Sequence, residues 1–190
     1  IDVLVNKGKF FIEDHSTEIG QSPAIPRGAY KINDKIVSLK FPGFQIIISI
    51  PSIFYKNLYL IITALTAIIC GLFLFKILSF KLNKTDAIIG TVFLFFLPFF
   101  WYWSNRPFIE NISACSFFIS GFYYFLKFDK FKNRNYIFIS TIFFGTSLFI
   151  RPDLLIMLIP ISLFFINNLF ILKKKDWLIL IVFIFLLVFP

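Results

Sequence analysis

The chain has 190 residues, of which 58% are hydrophobic, 21% aromatic and only 15% charged, against roughly a quarter charged in an ordinary soluble domain. Its formal net charge is +9, but the positive residues sit in short knots between long apolar stretches. That pattern excludes an ordinary soluble fold and a nucleic-acid-binding surface, and it points to a polytopic helical membrane protein.

Residues 1–43 come first and are polar and irregular. They cannot span a bilayer and are expected to form an ordered extracytoplasmic loop. Within it, Ala29-Tyr30-Lys31-Ile32 and Lys35-Ile36-Val37-Ser38 flank Asn33-Asp34, and two alternating runs joined by a two-residue turn predict a hairpin. Residues 44–56 follow as an interfacial or re-entrant helix, because the apolar run from Phe44 to Phe54 is interrupted by Pro51 and is too short for a ~30 Å hydrocarbon core.

Residues 57–190 are read as a transmembrane bundle, with spans at Leu58 to Ser79, Ile88 to Trp103, Ile112 to Leu126, Tyr136 to Ile150 and Leu154 to Leu172, and a truncated sixth from Trp177. One helix from Tyr136 to Leu172 would be ~55 Å long, so the chain must turn back at Arg151-Pro152-Asp153. The expected fold class is therefore all-α, a transmembrane bundle with an extracytoplasmic loop bearing a small hairpin. An opening at Ile1 and an end inside an apolar run suggest a fragment.

Orientation follows from the basic residues. Lys76, Lys81 and Lys84, then Lys127, Lys130, Lys132 and Arg134, then Lys173, Lys174 and Lys175 occupy alternate loops, whereas the intervening ones hold only Arg106 and Arg151. The positive-inside rule makes the lysine loops cytoplasmic and puts residues 1–56, the turn from Ser104 to Glu110 and the turn from Arg151 to Asp153 outside. Tyr55, Tyr59, Trp101, Tyr102 and Trp103 would then form an outer aromatic belt.

Cys70 and Cys115 lie in apolar stretches and His15 is a lone histidine in a polar loop. Neither arrangement has metal-ligand spacing, so no metal or cofactor is expected. Each outer turn instead holds one arginine and one carboxylate: Arg106 with Glu110, and Arg151 with Asp153. Short turns need polar residues to stay in water, but ionisable groups at the mouth of a bundle also mark functional sites.

Several stretches in order carry a resemblance: Gly8-Lys9-Phe10 with Glu13 and Asp14, the hairpin, Lys40-Phe41-Pro42-Gly43, Arg106-Pro107-Phe108-Ile109-Glu110, and Gly145 to Phe149 leading into Arg151-Pro152-Asp153. Together they resemble the GT-C membrane glycosyltransferases, especially the protein O-mannosyltransferase and aminoarabinose-transferase group. Phe41 departs from the group, which commonly has a proline there.

The resemblance implies an inverting transfer of a sugar from a polyprenyl-phosphate donor to a hydroxyl on an unknown glycan, lipid or protein acceptor at the outer face. Lys40, Arg106 and Arg151 would bind the donor phosphate. Glu110 is the catalytic candidate, orienting the acceptor or pairing with Arg106, and Asp153 orients the acceptor or the site. The principal base is expected before Ile1, with Asp2, Glu13 and Asp14 as weaker candidates. The alternative is a non-enzymatic transporter or flippase of lipid-linked glycans, which should carry polar or broken helices at the midplane. Wealth in Ile, Lys, Phe and Asn suggests a bacterial inner membrane, and membrane lipids are expected partners.

The topology is checked by placing a cysteine at Lys132. An impermeant thiol reagent should leave it unlabelled in intact cells and label it after lysis; labelling in intact cells would invert every assignment above.

Overall fold

In a computed structural model of the chain, the described residues are 11–13, 29–32, 35–38, 42–55, 57–106 and 109–164. They fall into two compact units, Ile1–Tyr59 and Leu60–Pro190. Asp2, Asp14, His15 and Lys173 to Lys175 lie outside the described residues.

The first unit holds a three-stranded antiparallel sheet, β1 (Phe11–Glu13), β2 (Ala29–Ile32) and β3 (Lys35–Ser38), in the order β1-β3-β2. Ala29 pairs with Ser38 and Ile32 with Lys35, the register that leaves two residues between the strands. β1 adds to the other edge of β3, with Phe11 opposite Val37, and was not expected. Helix α1 (Pro42–Phe54) then runs through Pro51. A proline inside a helix removes one backbone donor; around it Ser49 and Ser52 donate their hydroxyls to the carbonyls of Ile46 and Ile48 at 2.8 and 2.7 Å.

The second unit contains α2 (Tyr59–Leu78), α3 (Lys84–Phe96), α4 (Pro98–Ser104), α5 (Glu110–Phe131), α6 (Arg134–Ile150), a 3-10 turn at Pro152–Leu154 and α7 (Leu155–Phe164). Two of its helices, α3 and α6, begin where asparagine side chains cap them. Asn83 accepts from the Asp86 N–H at 2.8 Å and Asn133 from the Asn135 N–H at 3.0 Å, satisfying donors that a helix start leaves open.

Among the described residues, Leu60–Leu78 alone is both long and apolar enough to cross a membrane, and it is only 28% buried inside the protein. A soluble core helix would be mostly covered. The span expected from Ile88 to Trp103 is formed by two helices, α3 and α4, which are long and apolar enough only together and are bent by 68°. Pro98 is the cause: it has no N–H and pushes Leu97 out of the helical region, to φ −66°, ψ 121°. α5 has 22 residues and carries Glu110, Lys127, Asp129 and Lys130, α6 has 17, and α7 is described only to Phe164. Five spans are thus not reached among the described residues.

Contacts fix the relative directions of these helices. Thr66 meets Ser113 at 3.0 Å and the Phe73 and Tyr123 rings lie 5.3 Å apart, so α2 and α5 run parallel. α5 and α6 run antiparallel: the Ser140 hydroxyl donates to the Gly121 carbonyl and that of Ser147 to the Ala114 carbonyl, both at 2.8 Å. A Cβ on Gly121 would lie 2.8 Å from Phe144 Cδ1. Small residues that admit a close neighbour, with hydroxyls bonded across the gap, are how helices associate in lipid. The α2–α3 and α5–α6 turns, with their lysines, therefore share one end, and the start of α5 and the end of α6 share the other.

Gly121→Ala should lower the thermal midpoint of the intact protein in bilayers, by an amount corresponding to about 1–3 kcal/mol of overpacking. Ser147→Ala should cost less, about 0.6 kcal/mol. An unchanged midpoint for Gly121→Ala would mean that α5 and α6 do not depend on this contact.

Candidate active site

The end where α5 starts and α6 stops collects the polar groups. α6 stops because Arg151 precedes Pro152, and a residue before proline avoids helical geometry. Arg151 has φ −143° and ψ 95°, and its N–H still closes the last turn onto the Ser147 carbonyl at 2.8 Å. The 3-10 turn then curls Asp153 back towards the Arg151 side chain, with the Leu154 N–H on the Arg151 carbonyl at 3.2 Å.

The result is a planar, charge-assisted fork. Arg151 Nε donates to Asp153 Oδ1 at 3.0 Å and Nη2 to Oδ2 at 2.5 Å. Its third nitrogen, Nη1, donates to Asn111 Oδ1 at 2.5 Å, across 40 positions of sequence. Asn111 is the second residue of α5, so the small-residue packing of α5 on α6 brings the amide to the guanidinium. A guanidinium has more N–H donors than these three bonds use. Arg151 and Asp153 remain 34% and 56% exposed, so the pair contributes little to stability and matters through its geometry.

Glu110, half-buried, is the first residue of α5. A carboxylate there complements the positive end of the helix dipole. Arg106 is exposed beyond the end of α4, its guanidinium carbon 4.1 Å from the centroid of the Tyr102 ring, a cation–π stack. Exposed Trp101 and Tyr102 extend this aromatic edge. Lys40 lies outside the described residues.

The structure therefore joins Arg151 to Asp153, sets Glu110 beside their partner Asn111, and stacks Arg106 on Tyr102. Asn111 was missed by sequence reasoning. Its adjacency to Glu110 was the one available signal, and an asparagine in the first turn of a helix is too common to be singled out. Among the described residues no cluster of histidine, cysteine, aspartate and glutamate could hold a metal ion.

Residues 46–190 match the family described as dolichyl-phosphate-mannose-protein mannosyltransferase. The chain belongs to that family. Membership in this mannosyltransferase family implies a membrane glycosyltransferase of the GT-C type. The match takes in Arg106, Glu110, Asn111, Arg151 and Asp153, whereas Lys40 and the sheet precede it. No curated protein and no solved structure matches the chain.

Proposed function

We propose that the protein transfers a sugar from a polyprenyl-phosphate donor to an acceptor hydroxyl at the outer membrane face, with inversion at the sugar carbon. The observation that carries this reading is the Arg151 guanidinium, fixed on two sides by Asp153 and Asn111 within the stretch matched to the mannosyltransferase family. The leaving group of such a reaction is a phosphate that gains negative charge as the glycosidic bond breaks. A preoriented guanidinium stabilises that charge through paired N–H donors.

In this reading Arg106 adds positive charge around the donor phosphate. Glu110 and Asp153 are the carboxylates on the acceptor side, with Glu110 holding the hydroxyl in line. Asn111 is a positioning residue, since it acts through Arg151. Positive-inside asymmetry supports an outward-facing site: lysines crowd the opposite end of the helices, which would face the cytoplasm of a bacterial cell.

Arg151→Lys keeps the charge but loses the fork. Its kcat/KM for sugar transfer from a polyprenyl-phosphate donor by the intact protein should fall about tenfold to a hundredfold, with membrane insertion unchanged. Asn111→Ala leaves both charges in place and should lower kcat about tenfold or less, with a smaller change in KM. Wild-type rates in both variants would remove Arg151 from the mechanism and leave this reading without its main support.

A further inference from the structure

The end opposite the candidate site is more than a scatter of lysines. Phe73 and Phe80 lie 5.3 and 5.8 Å from the Tyr123 ring, and Tyr124 links Tyr123 at 5.2 Å to Tyr136 at 6.4 Å. These rings, drawn from α2, the turn after it, α5 and α6, form one connected aromatic ledge.

Three ammonium groups stand on that ledge. Lys76 Nζ lies 4.9 Å from the Phe73 centroid and 5.6 Å from that of Tyr123, Lys127 Nζ lies 5.1 Å from Tyr123 and 5.2 Å from Tyr136, and Lys130 Nζ lies 5.6 Å from Phe80. Lys76 and Lys127 thus share one ring. The described carboxylates at this end are Asp129, which pairs with Lys132 at 2.9 Å, and Asp86, which bonds Asn83 at 2.8 Å.

A topology signal needs only a count of positive charges in a loop. Here the helices instead set each ammonium group against an aromatic ring, two of them against Tyr123, and such cation–π contacts favour particular positions for the charges. An anion at this end of the helices would be attracted by all three ammonium groups. Aromatic rings of this kind settle at the depth of lipid headgroups, and basic pockets between helices bind anionic headgroups. α2 and α3 also line an apolar groove of about 290 Å³, with Phe75 and Ile88 among its walls. Phe75 adjoins Lys76, so acyl chains have an apolar surface close by.

We propose that the ledge of Lys76, Lys127 and Lys130 is a binding site for the phosphate headgroup of an anionic phospholipid in the adjoining leaflet. The site requires the chain to be embedded in a bilayer and is independent of the sugar-transfer reading.

The test uses the intact protein in phosphatidylcholine nanodiscs doped with spin-labelled phosphatidylglycerol or spin-labelled phosphatidylcholine, with the motionally restricted fraction read by electron paramagnetic resonance. Wild-type protein should restrict the anionic probe preferentially. K76Q/K127Q should weaken that preference about fivefold for each lysine removed, whereas K81Q/K84Q, which removes the same charge from the neighbouring turn, should stay near wild type. Equal losses in the two double variants would reduce the effect to general charge attraction and overturn the site. Equal restriction of the two probes by wild-type protein would overturn it as well, and this arm needs no variant to fold.

Discussion

The close approach of α5 and α6 is the constraint on which the rest of the second unit depends. The two helices hold together through contact area and bonds between backbone and hydroxyl. Gly121 admits the Phe144 ring, and Ser140 and Ser147 donate to carbonyls of the facing helix. These hydroxyls are buried and satisfied. A larger residue would separate the helices, and a serine without its acceptor would leave a polar atom in an apolar setting. Arg151 meets Asn111 because this seam fixes both the spacing and the register of the two helices.

Charge is then sorted by direction. Because α2 and α5 run parallel while α3 and α6 return, every lysine of the two short turns lies at one end, and the arginine–carboxylate groups lie at the other. Between the ends, exposed Ile68, Leu72, Ile89, Phe93 and Phe96 make α2 and α3 apolar on their outer faces, more than a water-facing surface of a monomer would carry. Pro98 adds a sharp break. It turns α4 away from α3 and leaves Trp101 and Tyr102 on an exposed aromatic edge near Arg106.

Much of this was legible in the sequence because hydropathy and capping act locally. α2 falls within one residue of the reading at each end, and β2 and β3 pair over the two runs expected to form the hairpin. α5 runs well past Leu126, to Phe131, because Lys127, Asp129 and Lys130 end the apolar run without ending the helix; lysine is a good helix former. The break at Pro98 was hidden by apolarity that continues on both sides of it. β1 is three residues long and has no alternation to detect. The Arg151–Asn111 contact depends on where two side chains point across a helix interface, which spacing along the chain does not encode, and the stacking of Arg106 on Tyr102 is of the same kind.

Arg151 also explains why an amide, rather than a third acid, suits position 111. Asp153 already balances the guanidinium, so a carboxylate at Asn111 would turn the trio negative and repel a phosphate. The amide oxygen orients the third nitrogen without adding charge. Asp153 is more than half exposed, and an exposed ion pair of this type is worth only about 0–1 kcal/mol. A phosphate bringing two acceptor oxygens to the same planar fork forms bonds of comparable geometry and carries charge that grows during the reaction. On the proposed mechanism, then, Asp153 holds the arginine in position while the site is empty and yields it at small cost when the donor arrives, and Asn111 keeps the guanidinium plane fixed through the exchange.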